Sequence, residues 1–361
     1  MPEPFKNLIT RKVVTEFAEE INSVFPKFEI EKFLSSVFDL NWENEELKQR
    51  FRHLTISTFN ALDLPYKEAI KILMEVPHNK STWTSFVYPD FVEFYGVDYY
   101  KESIPALELF TQRSSSEFAV RPFIVKYPDK MMKQMLKWSK HKNHHVRRLS
   151  SEGCRPRLPW AMALPQFKKD PAPIIPILEN LKDDESEYVR KSVANNLNDI
   201  TKDNPDLVLS LAKDWLGKSG NTDKILKHGL RTLLKKGNPE ALELFGIANN
   251  ANLEVLNLSL SPQSVKIGNK MKFSFNLISQ ESKPIQVRLE YKIHFMNKSG
   301  NYSVRIFKIS ESNINAAEKK EVTRNQNFAD LTIRKHYPGK HKLEIVVNGI
   351  TKAVQEFEVV R

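Results

Sequence analysis

Near residue 250 the spacing of apolar residues changes from three and four to two, and no single architecture satisfies both periods. Before that point, segments such as KVVTEFAEEINSVF, KEAIKILMEV and PDKMMKQMLKWSK carry an apolar stripe at helical spacing. After it, VLNLSLS, KMKFSFNLI, IQVRLEYKIHF, SVRIFKI, KLEIVV and QEFEVV alternate apolar and polar residues between polar connections. Such short alternating segments predict a β-sandwich of roughly 100 residues. The segment GIANNAN, Gly246 to Asn252, is the junction, so the chain is expected to divide into a helical domain over 1–248 and a sandwich over 249–361. A length of 361 residues accommodates both at roughly 100 to 200 residues per domain, and a 40% hydrophobic content can fill their cores.

The helical part repeats itself. An aliphatic-Arg pair recurs at Val120-Arg121, Val146-Arg147, Val189-Arg190 and Leu230-Arg231, with arginine spacings of 26, 43 and 41. The last two fit the ~40 to 47 residue period of HEAT or armadillo repeats, whose helix pairs stack into a solenoid with a concave face. The first spacing implies one short or irregular repeat. Three and four residues beyond each aliphatic residue stand Phe123-Ile124, Leu149-Ser150, Ser192-Val193 and Leu233-Leu234, which places the core stripe. The arginine one step on is expected to face off it.

Charge narrows the partner. Fifty-five Lys and Arg against 44 Asp and Glu give +11 and a pI near 9.4. Residues 251–361 hold 18 basic and 10 acidic residues, or +8, and residues 121–160 hold 11 and 2, or +9. The other 210 residues therefore sum to −6. A basic band of this kind is either a solvated helix face or the footprint of phosphate binding, and nucleic acid is the first candidate partner. The single cysteine, Cys154, excludes an internal disulfide framework. The segment MPEPFKNLITRKVV lacks the apolar core and cleavage site of a leader, and no stretch approaches the roughly 18 apolar residues of a membrane span. A cytoplasmic protein with no membrane association is expected.

Three places could carry chemistry. In EYVRKSVANNLNDI, Val189, Val193, Leu197 and Ile200 form the apolar stripe, with Ser192, Asn195 and Asp199 on its flank and Asn196 beside them. Asp199 is expected either at a groove edge or as a cap for the segment that follows. Glu117 precedes Arg121 by four residues, the spacing of an ordinary helix-surface pair. In EGCRPRLPW, Pro156 and Pro159 stiffen a non-helical stretch that displays Arg155, Arg157 and Trp160. Two guanidinium groups and an indole suit phosphates and a stacked base or cation, although a tryptophan can equally serve packing. His141, His144 and His145 read as polar surface rather than a metal site, and Trp83, Trp138 and Trp215 as core. The sequence has no GxxxxGKS, GxGxxG, GxSxG, HExxH or zinc-deaminase motif, which argues against nucleotide hydrolysis, nicotinamide chemistry, serine hydrolysis and base deamination. No cofactor and no metal are expected.

The runs TQRSSSEFAVRPF, HHVRRLSSEGCRPRLPW, KDDESEYVRKSVANNLNDITKDNPD and HGLRTLLKKGNPEAL resemble, in order over roughly residues 1–250, the AlkC branch of the bacterial HEAT-like-repeat DNA glycosylases, relatives of AlkD. The resemblance implies a HEAT-like α-solenoid followed by a C-terminal immunoglobulin-like β-sandwich, the latter an accessory DNA-binding domain. It implies excision of cationic N-alkylated bases, chiefly 3-methyladenine and 3-methylcytosine, from duplex DNA without flipping the nucleotide, by a protein acting as a monomer with no obligate protein partner. By position in the matching motifs Glu117, Asp199 and Trp160 are the expected catalytic residues. Arg147, Arg148, Arg155, Arg157, Arg190, Lys191 and Arg231 are expected to bind DNA. One departure is SSSEF, where the family would place a bulkier aromatic before the acidic residue.

This inventory suits the chemistry. A base alkylated at N3 is cationic and leaves readily, so what remains is to stabilise positive charge developing on the sugar and to orient water. Carboxylates and an indole face do this without a lysine nucleophile, which implies a monofunctional hydrolase. The rival reading is a non-catalytic DNA-binding scaffold of the same fold, and a helical-repeat adaptor is a third.

Overall fold

The computed structural model describes residues 4–77, 83–331 and 334–361; residues 1–3, the start of the segment read for a leader, lie outside them. The described residues before 250 hold sixteen α-helices, from Arg11–Val24 to Pro239–Glu243, and those after it hold eight strands. The change from helix to strand falls at Leu253. By packing, the chain forms two compact units, Met1–Asn204 with Gly217–Gly229, and Pro205–Leu216 with Leu230–Arg361.

In the first unit the repeat helices are Val120–Lys126, His144–Glu152 and Glu187–Ile200. Val120, Val146 and Val189 are fully buried, as are Phe123, Ile124, Leu149, Ser150 and Val193. The arginines that follow Val120 and Val146 do not face off this stripe, whereas Arg190, after Val189, is partly exposed. Arg121 is 0% exposed and Arg147 9%. One residue past the stripe, ~100° around the helix, points at the neighbouring layer of the stack rather than at water. Arg121 Nη1 donates to the carbonyls of Gly153 and Arg155, both at 2.9 Å. Arg147 grips Asp184 with Nε and Nη2 at 2.6 and 3.0 Å, and its Nη1 donates to the carbonyls of His141 and Lys142. At Arg121 and Arg147 the aliphatic-Arg pair therefore works as a fastener between repeats.

Local signals set the helix ends. Asn143 Oδ1 accepts from the backbone of His145 at 2.8 Å to start His144–Glu152. Glu46 and Gln49 form a capping box for Leu47–Leu62, with Gln49 Oε1 accepting from Glu46 N at 2.7 Å. The helices Glu187–Ile200 and Gly220–Gly229 touch at Gly229, where an added Cβ would lie 2.9 Å from Leu197 Cβ.

The second unit is the sandwich with its own helical collar. One sheet has the order β1 (Leu253–Ser261), β3 (Lys270–Ser279), β6 (Lys319–Asn327); the other has β2 (Ser264–Lys266), β8 (Ile350–Val360), β7 (Gly339–Val347), β4 (Ile285–Met296), β5 (Tyr302–Ile314). Met271, Phe273, Phe275 and Leu277 from β3 meet Leu289, Ile293, Leu343 and Ile345 from the facing sheet in one core, the alternation that the sequence shows. β6 was invisible to that reading because only Val322 and Gln326 of its nine residues are buried. The collar is tied to the sandwich at Gly237, φ +71°, whose added Cβ would sit 2.9 Å from Gly349 Cα, and by Asn348 Nδ2 donating to the Ala248 carbonyl at 2.7 Å. In the Lys335–Lys342 stretch His336 and His341 are 3% and 1% exposed and pack on Phe328. Burial holds both imidazoles below their ordinary pKa.

Candidate active site

A cleft of about 960 Å³ opens in the first unit, and Glu117, Arg148, Glu152, Arg155, Trp160 and Tyr188 line one side of it. Glu117 sits in the turn before the Val120–Lys126 helix, so it never forms the expected helical pair with Arg121. Ser116, the small residue in SSSEF, is buried and donates from Oγ to the Leu107 carbonyl at 3.0 Å, which fixes the turn. Ser115 Oγ donates to Glu117 Oε2 at 2.8 Å. Arg148 donates from Nη1 to Ser115 Oγ at 2.9 Å, and the same atom forms an ion pair with Glu117 Oε2.

From Glu117 the charges run inward in alternation. Arg148 Nη2 lies 3.6 Å from Glu152 Oε1; Arg155 Nη1 donates to that same oxygen at 2.6 Å and its Nε donates to Asp199 Oδ2 at 2.9 Å. Lys202 Nζ closes the series on Asp199 Oδ1 at 3.0 Å. Asp199 is 2% exposed and so lies behind Arg155, neither at an open groove edge nor capping the next segment. Burial opposes the charge of Arg155, yet Glu152 and Asp199 hold its guanidinium above its ordinary range. Glu152 was not singled out from the sequence, although its places four after Arg148 and three before Arg155 were legible there.

Trp160 is not a core residue. It is 73% exposed and its φ is +65°, a conformation that costs an L-residue about 1–2 kcal/mol. The surrounding loop is clamped beneath by Arg121, whose Nε donates to the Met162 carbonyl at 2.7 Å. Burial pushes the Arg121 guanidinium down to about 10. Lys48, from the Leu47–Leu62 helix, donates to the Trp160 carbonyl from across the cleft. The opposite wall is aromatic: Phe51 stacks with Trp83 at 6.5 Å, and Trp83 with Phe86 at 6.0 Å. Trp83 thus belongs to the cleft, whereas Trp138 and Trp215 are buried.

The basic residues divide by what they hold. Arg147 is committed to Asp184 and backbone carbonyls, and Arg155 to the buried charge series. Arg190 donates to the carbonyls of Asp184 and Glu185, and Lys191 pairs with Glu187 at 2.9 Å on the surface. Arg157 is more open, bonded to Asp203 at 2.6 and 3.1 Å. Arg231 opens the Arg231–Lys236 helix, in the other compact unit. His144 and His145 form edge contacts with Tyr188, and Cys154 is buried with its thiol pushed up to about 12 by burial. No helix among the described residues is long and apolar enough to cross a membrane.

Residues 111–228, which contain Glu117, Trp160 and Asp199, match the family described as DNA alkylation repair enzyme. Residues 254–361 match the family described as the C-terminal Ig-like domain of the uncharacterised protein YhaZ. The uncharacterised protein YhaZ of Bacillus subtilis (strain 168) is 45% identical over 355 residues, which is 98% of this chain and 99% of that protein. The structure of Pseudomonas fluorescens alkylpurine DNA glycosylase AlkC, bound to DNA containing an abasic site analogue, superposes with a TM-score of 0.95 at 35% identity, covering 99% of this chain and 100% of that one. The class is therefore a HEAT-like helical repeat of alkylation repair carrying an Ig-like domain. Within that class the chain belongs to the DNA alkylation repair enzyme family, in its AlkC branch.

Proposed function

We propose that this chain is a monofunctional DNA glycosylase of base excision repair, hydrolysing the N-glycosidic bond of 3-methyladenine and 3-methylcytosine in duplex DNA without flipping the damaged nucleotide. The observation that carries the reading is the meeting, on one cleft, of the Glu117 carboxylate with an indole held open to solvent against backbone preference. Strain of that kind persists where function requires it. The similarity to a glycosylase bound to DNA with an abasic site analogue supports the substrate class.

In this reading Glu117 faces the sugar and orients water, and the Trp160 indole favours the cationic base or the developing oxocarbenium ion. Asp199 acts from behind. DNA phosphates compete for the open Lys202, and the Asp199 carboxylate then adds to the field at the sugar. No proton need be delivered to a leaving group that is already cationic, so neutral lesions such as 7,8-dihydro-8-oxoguanine are poor substrates. Arg148, Arg157, Arg190 and Lys191 are the proposed phosphate contacts of the glycosylase domain, 1–248. Arg147 and Arg155 support them through the buried pairs described above, and Arg231 contacts DNA separately. The sandwich, 249–361, contributes a second contact through its +8 charge, with Lys335 and Lys340 exposed.

Incubation with methylated duplex DNA, followed by separation of free bases, tests the reading. Released 3-methyladenine or 3-methylcytosine supports it, and borohydride should trap no protein–DNA adduct. A mobility shift without free base selects a DNA-binding scaffold instead.

A further inference from the structure

Lys48 stands 112 residues from Trp160 and belongs to the far wall of the cleft, yet its Nζ donates to the Trp160 carbonyl and lies 5.0 Å from the centre of the Phe118 ring. Phe118 directly follows Glu117. One ammonium group therefore touches the backbone of the exposed indole and the neighbour of the cleft carboxylate. The other fastenings of the Trp160 loop act elsewhere: Ala161 N donates to the Leu158 carbonyl at 3.3 Å, Leu164 N to the Pro156 carbonyl at 3.2 Å, and Arg121 to the Met162 carbonyl.

A tryptophan at φ +65° has a relaxed alternative, rotation about its own N–Cα bond to a negative φ, which would swing its carbonyl and its indole together. An ammonium fixed on that carbonyl opposes the rotation. Glu93 lies in the same cleft and feels the charge of Lys48; burial and Asp90 hold its carboxyl above its ordinary pKa. The Lys48 side chain is otherwise exposed, so a change there leaves the packing of the Leu47–Leu62 helix intact.

We propose that Lys48 is a positioning residue: it fixes the Trp160 peptide in its strained conformation and so presents the indole to the reacting nucleotide, coupling the N-terminal wall of the cleft to the catalytic loop. The proposal rests on the glycosylase reading for its kinetic consequence but not for its structural one.

Two measurements test it. In protein labelled with 5-fluorotryptophan, five resonances are expected from the five tryptophans, and loss of one in Trp160→Phe assigns it. Lys48→Met should shift or broaden that resonance and leave the others in place, and Lys48→Arg should restore it. A Trp160 resonance unmoved by Lys48→Met overturns the proposal whether or not the protein excises bases. In single-turnover excision, Lys48→Met should slow base release about two- to tenfold, the span expected for one hydrogen bond, with Lys48→Arg recovering most of it. In a Trp160→Ala background the same substitution should cost nothing further. An equal loss in both backgrounds means that Lys48 acts on DNA directly and overturns the positioning role. Absence of base release by the unmodified chain rejects the glycosylase reading, and the fluorine spectra still decide the structural claim.

Discussion

The Nε of Arg155 donates to Oδ2 of Asp199 at 2.9 Å, and that bond closes a carboxylate off from the cleft it was expected to line. Glu117 at the rim and Asp199 in the interior are thus the outermost and innermost carboxylates of one run of alternating charge. Each should respond differently to removal of its charge.

Glu117→Gln should lower base release by about 10²- to 10³-fold, the scale of losing one preorganised charge-stabilising group, with duplex affinity intact or improved. Asp199→Asn should also slow release, and in addition lower stability, because the buried Arg155 loses the charge that it shares with the more open Lys202. Single-turnover kinetics, a binding titration and a melting curve on each variant separate these effects. Wild-type release by both folded variants contradicts the assigned chemistry.

Among the arginines, Arg147→Ala and Arg157→Ala should part ways. Removing Arg147 leaves Asp184, whose side chain is 5% exposed, without its partner, and should cost about 3–5 kcal/mol in a urea titration. Arg157 is half-open, so its loss should leave stability within ~0.5 kcal/mol and weaken binding to damaged and undamaged duplex alike. The salt dependence of affinity should flatten by about one unit of slope. An unchanged slope removes Arg157 from the interface.

At position 160 the usual order of glycine and alanine should invert. Because φ is +65° there, Trp160→Gly should be more stable than Trp160→Ala by about 1 kcal/mol. Both should excise poorly while binding undamaged duplex nearly as well as the parent chain. Equal stability of the two variants would show that the loop relaxes once the indole is gone.

Much of this was legible in the sequence. The change of period placed the helices and strands, and the aliphatic-Arg pairs marked Val120, Val146 and Val189 as core. What sequence could not provide was the direction of residues just off the stripe. In a stacked array that direction meets another repeat, which is why Arg121 and Arg147 turn inward and Asp199 is covered. Lys48 carries no local signal, because its partner Trp160 comes from another part of the chain. His336 and His341 carry no sequence signal of burial, yet the turn folds them onto Phe328.

Those two histidines give the sandwich a pH dependence. Their folded-state pKa values are depressed from 6.5 by burial, so the unfolded chain binds protons first as pH falls. Stability should therefore be undiminished above about pH 7 and decline as pH drops through about 6.5 and below. Melting curves from pH 8 to 5 should show the decline, and His336→Leu with His341→Phe should flatten it. A slope that survives both substitutions assigns the effect to other groups.

The central claim is that a carboxylate on the Trp160 cleft drives loss of a cationic base. The most direct measurement is single-turnover cleavage of a duplex oligonucleotide carrying one 3-methylcytosine, comparing the parent chain with Glu117→Gln at saturating enzyme and scoring abasic sites. The account predicts abasic sites with the parent chain, and a rate at least about a hundredfold lower with the variant although both bind the duplex. Equal rates, or bound duplex with no abasic sites from the parent chain, would contradict it.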